Sequence, residues 1–155
     1  MKIYLDTCCY CRPFDMARET HTRVETEAVL IENIIDLCKT ASIIIVGSAA
    51  IITELRYIRD TEKRGNVLTF YKSATVELIR PTADILSRTQ KLIAQGLGDF
   101  DAAHVALAEA AKADYVLTVD DDFERTASKL KLTVNVINPS NFLMEVIKWI
   151  QSLSM

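Results

Sequence analysis

The segment GDFDAAHVALA at residues 98–108, together with YVLTVDDDF at residues 115–123, decides the fold of this chain. The first part reads as the start of a helix that carries an acid in its first turn. The second part is an apolar strand that runs into three aspartates. The N-terminal residues KIYLD, at positions 2–6, repeat the order of strand and then acid. Acids at the ends of apolar strands are typical of an open parallel sheet, which binds its ligands beyond the carboxyl ends of its strands.

The composition is that of an ordinary globular protein. The chain has 155 residues, of which 50% are hydrophobic and 25% are charged, and this length supports one domain with a sizeable core. We therefore expect a single domain over residues 1–155. No apolar run approaches the roughly 18 residues of a membrane span, and the N-terminus lacks the pattern of a signal peptide. We expect no membrane association and a cytoplasmic location.

Strands alternate with helices along the chain. Strands are predicted at 2–5, 42–46, 76–79, 115–119 and 133–137, with a loop at 7–15. Helices are predicted from about residue 20 to 39, at 49–58, up to about 73, at 84–95, 100–112, 122–130 and 139–149. Such alternation predicts an α/β fold with a parallel sheet of about five strands and helices on both sides. In the helix at 84–95 the expected buried positions are Ile85, Leu86, Leu92 and Ile93, and Ser48 is the expected N-cap of the helix at 49–58.

Four acids are predicted to converge on one edge of this sheet. Asp6 and Asp120 end strands, Glu54 lies in the second turn of a helix that follows a strand, and Asp101 lies in the first turn of its helix. Two carboxylates about 4 Å apart repel by roughly 4 kcal/mol at an effective dielectric constant near 20, so such a cluster needs a cation or protons. Oxygen ligands without histidine or thiolate favour Mg²⁺ or Mn²⁺. These ions suit the hydrolysis of a phosphodiester by an activated water.

Each acid also has a purely structural alternative. Glu54 stands among isoleucines and leucine, so it must either reach solvent or meet a partner. Asp99 competes with Asp101, and we favour Asp101 as the ligand and Asp99 as a helix cap or an outer acid. His104 is expected to be a structural histidine with satisfied hydrogen bonds.

The aspartate run leaves the fourth acid open among three neighbours. Asp120 follows the strand directly and is the favoured ligand. Asp121 is expected to be solvated, and Asp122 is expected to cap the next helix while remaining a candidate outer ligand.

The cysteines do not suggest a disulfide framework in a chain of this kind. Cys8, Cys9 and Cys11 are crowded near the N-terminus, and Cys38 stands alone on a helix. We expect free thiols. Zinc binding is not expected, because the adjacent Cys8 and Cys9 cannot easily both reach one tetrahedral ion.

These motifs together resemble those of PIN-domain ribonucleases, a family that includes the toxins of VapBC toxin-antitoxin modules. The resemblance is carried by Asp6 after the first strand, Ser48 with Glu54 six residues later, DAAH at 101–104, and TVD at 118–120 followed by DF at 122–123. It implies a three-layer α/β/α fold, divalent-metal catalysis on RNA and frequent dimerisation. By position, Asp6, Glu54, Asp101 and Asp120 would bind the metal, and Thr118 would form a hydrogen bond near the site.

The sequence therefore predicts a Mg²⁺- or Mn²⁺-dependent endoribonuclease. The resemblance also implies an antitoxin partner if the protein is a toxin, although RPFD at 12–15 is similar to a subset of stand-alone PIN proteins. Arg12 and Arg56 are the candidate contacts to RNA phosphates. One alternative is a noncatalytic PIN-like module that binds RNA or protein. A phosphotransfer domain is disfavoured, because Cys8 stands where a dehalogenase-type site would place its second acid.

Overall fold

The computed structural model describes residues 1–15 and 22–155 of the chain. Its strands are β1 (Lys2–Leu5), β2 (Ile44–Ser48), β3 (Glu77–Ile79), β4 (Tyr115–Leu117) and β5 (Asn135–Ile137). Its helices are α1 (Thr7–Cys11), α2 (Thr22–Thr40), α3 (Ala49–Leu55), α4 (Thr61–Ala74), α5 (Ala83–Ala94), α6 (Asp99–Ala110), α7 (Asp121–Ala127) and α8 (Pro139–Leu153). A short 3-10 turn, Arg12–Phe14, follows α1.

The five strands form one sheet in the order β3-β2-β1-β4-β5, and every neighbouring pair is parallel. Helices flank this sheet in a three-layer α/β/α arrangement, which confirms the predicted fold class. The chain moves outward from β1 through β2 to β3 and then returns to β4 on the other side of β1. In an open parallel sheet, such a reversal opens a crevice beyond the carboxyl ends of the two central strands. Here those strands are β1 and β4, where Leu5 pairs with Leu117.

After their first residues, such as Lys2 at the start of β1, the central strands are buried because helices cover both faces of the sheet. Ile3, Tyr4 and Leu5 of β1 have no exposed surface, and Val116 and Leu117 of β4 are equally buried. Of these three residues of β1, Tyr4 alone has a polar atom at its tip, and that hydroxyl lies near the carboxyl edge. No helix in the described parts of the chain is long and apolar enough to span a membrane.

The prediction of a loop at 7–15 is wrong, because this segment folds into α1 and the 3-10 turn. The Asp6 carboxylate accepts a hydrogen bond from the Cys9 amide and so caps α1. Pro13 then lies in the first positions of the 3-10 turn, where a missing N–H group breaks no internal hydrogen bond. Residues 20 and 21, the predicted start of the next helix, lie outside the described residues.

The second strand lies two residues later than predicted. Ser42 has a positive φ of 57° and belongs to the turn before the strand. Gly47 and Ser48, predicted as a turn, remain extended because they pair with Leu78 and Ile79 of β3. The helix that follows ends at Leu55 rather than at residue 58.

Two of the four predicted core positions of α5 are also wrong. Ile85 and Leu92 are buried, but Leu86 is 60% exposed and Ile93 is 38% exposed. Ile85 and Leu92 are seven residues apart, two turns of the helix, and so lie on one stripe. The residue after each of them is rotated by about 100° toward solvent. A periodic apolar pattern could not distinguish this narrow stripe from a wider one.

Gly47 provides a test of how closely β2 packs. A Cβ added at Gly47 would lie 2.4 Å from the Tyr71 hydroxyl oxygen and 2.8 Å from Thr75 Cγ2. We expect Gly47→Ala to reduce the free energy of unfolding by about 1–3 kcal/mol through overpacking. Gly65→Ala is the matched control in α4, where no atom lies within 4 Å of the added Cβ. It should instead stabilise by about 0.5–1 kcal/mol. Urea unfolding measures both, and equal effects would contradict the packing argument.

Candidate functional site

Asp6 lies at the centre of the candidate site, immediately after β1. Its side chain is 4% exposed. Thr118, just beyond β4, donates to Asp6 Oδ2 at 2.7 Å, and the Cys8 thiol donates to Oδ1 at 2.6 Å. Burial raises the pKa of Asp6, and these hydrogen bonds only partly offset the effect. Neutral donors therefore fix the Asp6 carboxyl group in position. A nearby positive charge would stabilise its ionised form.

Glu54 meets its partners at the other side of the site. It lies in α3, which begins where β2 ends. Thr7 donates to Glu54 Oε1 at 2.7 Å, and His104 Nε2 forms a short contact with the same oxygen. Burial opposes ionisation, but the hydrogen bonds and charge of His104, together with Thr7, lower the pKa of Glu54 overall. Glu54 is thus held in place as a carboxylate.

A buried chain of hydrogen bonds holds the imidazole of His104. His104 is 1% exposed, and its Nδ1 shares a hydrogen bond of 2.6 Å with the Tyr4 hydroxyl. That hydroxyl also shares a hydrogen bond of 2.6 Å with the Ser48 hydroxyl. Ser48 stands at the N-cap position of α3, as expected, but its side chain binds Tyr4 instead of capping the helix. The sequence did not single out Tyr4, two residues before Asp6, or Thr7, directly after it.

Asp101 is the acid whose pKa is raised by the charges of the other three. It lies in the first turn of α6. Burial, followed by the negative charges of Asp6, Asp120 and Glu54, raises the pKa of Asp101 to about 6, and His104 acts in the opposite direction. The four acids therefore share one electrostatic field at the carboxyl edge of β1 and β4. The structure brings together the acids that the sequence placed on this edge.

The three consecutive aspartates separate into different environments. Asp121 is exposed to solvent, as expected, and it also pairs with Arg23 through both carboxylate oxygens, at 2.8 and 2.9 Å. Asp122 was expected to cap α7, but its carboxylate pairs with Arg125 at 2.7 Å. Asp120 is the cap, because its Oδ1 accepts two amide hydrogen bonds from the first turn of α7. Asp120 is thus the one aspartate of the three whose charge acts on Asp101.

Asp99, expected to be a cap or an outer acid, is exposed in the first turn of α6, and the N-cap position is occupied by Gly98. The two candidate arginines differ in their surroundings. Arg12 forms ion pairs with Asp15 at 3.0 Å and Glu27 at 3.4 Å, so its charge is already shared. Arg56 is exposed at the C-cap of α3, two residues after Glu54.

The ligand chemistry of the four acids suits a hard divalent cation. Across residues 1–15 and 22–155, no lysine or arginine forms an ion pair with Asp6, Glu54, Asp101 or Asp120. The positively chargeable group that reaches the cluster there is His104, through Glu54. Carboxylate oxygens in excess of neutralising side chains are the donors that Mg²⁺ and Mn²⁺ accept.

The cysteines at the N-terminus of α1 lie closer together than expected. All four cysteines of the chain are free. The sulfur atoms of Cys8 and Cys9 and a carboxylate oxygen of Asp6 lie within 4.8 Å of one another. The sequence reading judged such an approach difficult for adjacent cysteines. It also overlooked that Cys8 and Cys11 have the Cys-x-x-Cys spacing.

Comparisons with known proteins agree with this fold and identify the family. The family model described as PIN domain matches residues 3–129. The chain therefore belongs to the PIN domain family. A comparison with curated protein sequences finds no match.

Two solved structures from Mycobacterium tuberculosis share the fold. One is VapBC-5, a member of the VapBC family of toxin-antitoxin systems, with 19% sequence identity and a TM-score of 0.54. That alignment covers 88% of this chain and 98% of the other. The second is VapC20, described as a sarcin-ricin loop cleaving toxin, with 15% identity and a TM-score of 0.58. It covers 86% of this chain and 98% of the other.

The Tyr4 hydroxyl should stabilise the fold through its buried partners. Tyr4→Phe leaves the Ser48 hydroxyl and His104 Nδ1 without their shared partner, so we expect a loss of about 1–3 kcal/mol in the free energy of unfolding. Tyr57→Phe is the control, because Tyr57 is 75% exposed and its change should have almost no effect. Chemical denaturation compares the two variants. Equal stability of Tyr4→Phe and the wild type would show that the buried chain is not needed for stability.

Asp101 should make the stability of the metal-free protein depend on pH. Because the pKa of Asp101 is raised from 3.8 to about 6, the folded state holds more protons than the unfolded state between these values. Stability should therefore fall as the pH rises through this range. In Asp101→Asn the decrease in the free energy of unfolding over this pH range should be smaller by about 1–2 kcal/mol. Thermal unfolding from pH 4 to 7 in chelator tests this, with Asp99→Asn as control. Identical pH profiles for wild type and Asp101→Asn would refute it.

Proposed function

We propose that this protein is an endoribonuclease that depends on Mg²⁺ or Mn²⁺ and hydrolyses RNA phosphodiester bonds. The supporting observation is the shared field of Asp6, Glu54, Asp101 and Asp120 at the crevice between β1 and β4, with no basic side chain pairing them in the described residues. Membership of the PIN domain family supports the same conclusion. A structural role alone would favour neutralised acids, because unpaired carboxylates repel one another and destabilise the fold.

The proposed metal ligands are these four acids. When bound there, the ion would polarise a phosphate and make a water molecule more nucleophilic. Thr118 and the Cys9 amide orient the Asp6 carboxylate, and Thr7 and His104 orient Glu54. Asp120 directs one oxygen to the amides of α7, which fixes its position and leaves the second oxygen for the site. The chain thus holds its ligands rigidly through neutral donors and one histidine.

RNA is the proposed substrate. Among the structural neighbours, VapC20 is described as cleaving the sarcin-ricin loop, and a hard-metal site of this kind suits a phosphodiester. Arg56 is the better placed of the two candidate arginines, because it is exposed just after Glu54 while Arg12 is paired with Asp15 and Glu27. We propose that Arg56 contacts the RNA backbone.

An antitoxin is the proposed protein partner, and a homodimer is the proposed assembly. Both solved neighbours are toxin or toxin-antitoxin proteins. An antitoxin that inhibits this enzyme would have to cover the crevice at the carboxyl edge of β1 and β4. The excess negative charge there favours a segment of the partner that carries a basic side chain.

The decisive experiment is cleavage of a mixed tRNA and rRNA pool with Mn²⁺, Mg²⁺ or chelator. We expect cleavage that requires the metal, and a loss of at least ~100-fold in the Asp6→Asn, Asp101→Asn double variant, since these ligands contribute several kcal/mol to catalysis. Asp36→Asn is the control, because Asp36 is exposed near the end of α2 and should cleave as the wild type does.

The same proteins test the toxin role in cells. Expression of the wild type and the Asp36→Asn control without a partner should arrest bacterial growth, whereas the double variant should not. Metal-dependent cleavage without growth arrest would retain the nuclease and reject the toxin role. Saturable RNA binding with no cleavage by any of the three proteins would favour the noncatalytic alternative.

A further inference from the structure

The sulfur atoms beside Asp6 are not among the metal ligands of the proposed nuclease. Cys8 Sγ, Cys9 Sγ and a carboxylate oxygen of Asp6 form a group with all three atoms within 4.8 Å of one another. It is the one group of this kind, with three histidine, cysteine or acidic ligands, in the described residues. Mg²⁺ and Mn²⁺ prefer oxygen, and thiolates select zinc and other soft ions. The chemistry of this trio therefore differs from that of the four-acid cluster, although the two share Asp6.

We propose that Asp6, Cys8 and Cys9 form a second metal site, which takes a thiophilic divalent ion, Zn²⁺ in the first place. Zn–S bonds of about 2.3 Å and Zn–O bonds of about 2.0 Å in a tetrahedron place the ligand atoms roughly 3.5–3.8 Å apart. The three ligand atoms lie within 4.8 Å of one another, and Cys8 Sγ and Asp6 Oδ1 are 2.6 Å apart, so side-chain rotations rather than a change of fold would bring them to these separations. The fourth position is left for water on the side of Cys8, which is partly exposed.

Neighbouring groups already orient this trio. The Cys8 thiol donates to Asp6 Oδ1 at 2.6 Å, and Thr118 Oγ1 lies 3.6 Å from Cys8 Sγ while it holds the other oxygen of Asp6. The Cys9 thiol donates to the Leu117 carbonyl oxygen at 3.3 Å. The two thiol hydrogen bonds fix the side chains in the metal-free protein and are lost with their protons when an ion binds, whereas the Thr118 bond to Asp6 remains and orients the carboxylate.

Binding is an exchange of protons for the ion. Each thiol gives up its proton to solvent as its sulfur binds Zn²⁺, so two protons leave for each ion and nothing is oxidised or reduced. The Cys8 proton on Asp6 Oδ1 is replaced by the ion, which then bridges the same two atoms. The ion thereby occupies an oxygen of Asp6.

The consequence for activity rests on the function proposed above. Zn²⁺ at the trio and Mg²⁺ or Mn²⁺ at the four acids compete for Asp6. Zn²⁺ should therefore inhibit the nuclease, and excess Mn²⁺ or a zinc chelator should restore it. The sulfur atoms would make the enzyme sensitive to zinc without a separate regulatory domain.

Spectroscopy tests the binding step independently of any activity. The purified full-length chain, reduced and free of metal, is titrated with Co²⁺ in the presence of Mg²⁺, and Zn²⁺ is then added. We expect a sulfur-to-cobalt charge-transfer absorption that Zn²⁺ abolishes. Cys8→Ser should weaken Co²⁺ binding by more than the roughly 10- to 100-fold typical of losing a group that supports a ligand. Cys11→Ser, the same change in the same helix but outside the trio, should bind as the wild type does.

Each other result overturns the assignment. No charge-transfer absorption in the wild type would reject a thiolate site. Loss of absorption in both Cys8→Ser and Cys11→Ser would assign the ion to the Cys-x-x-Cys pair instead of the trio. If Cys8→Ser unfolds, as judged by circular dichroism, Cys8→Ala takes its place with the same expectation.

A parallel cleavage assay separates this proposal from the nuclease. With rates normalised to each protein's own zinc-free rate, Zn²⁺ should inhibit the wild type and Cys11→Ser equally and Cys8→Ser far less. A charge-transfer signal without any cleavage would retain the metal site and reject the nuclease. Cleavage that is insensitive to Zn²⁺ in a protein that shows the signal would reject the competition for Asp6.

Discussion

Mutual repulsion among four carboxylates is the constraint on which the carboxyl edge of this sheet depends. Asp6, Glu54, Asp101 and Asp120 arrive from two strand ends and two helices and meet where the chain reverses its direction across the sheet. In the described residues Arg12 and Arg23 pair with other acids, Arg23 with Asp121 for example. The fold therefore keeps an unbalanced negative charge at one place, which only protons or a cation can balance.

Neutral hydrogen-bond donors hold these carboxylates in place without neutralising their negative charge. Thr118 and Thr7 each give one hydroxyl to an acid, and the buried Tyr4 hydroxyl holds His104 against Glu54. Such donors fix carboxylate positions and satisfy some of their oxygens, but they add no positive charge. Burial raises the pKa of both Asp6 and Asp101, and at Asp101 the negative charges of the other three acids add to the effect. The Cys8 thiol is a further neutral donor to Asp6, so a sulfur atom lies directly beside a carboxylate oxygen.

The sequence predicted which strands and helices occur better than the residues at which they begin and end. The alternation of strands and helices indicated the parallel sheet, but the position of Ser48 in β2 depends on pairing with β3, which is distant in sequence. The helix α1 was not predicted because its N-cap is Asp6, and the Asp6 side chain was predicted to be a metal ligand. Leu86 and Ile93 were placed in the core because helical periodicity shows which residues share a side, and packing against α6 decides how much of that side is covered.

By itself the sequence determined the fold class and placed four acids at one edge, because strand ends in a parallel sheet all point the same way. It favoured Asp120 among three adjacent aspartates but assigned the cap of α7 to Asp122, since the three have similar local patterns. The tertiary structure decided that Asp121 pairs with Arg23 of α2, that Asp122 pairs with Arg125, and that Asp120 caps α7 within the field of Asp101. It also decided the contacts of Tyr4 and His104, which are 100 residues apart. Contacts between distant segments arise only once the sheet brings them together, and no local pattern encodes them.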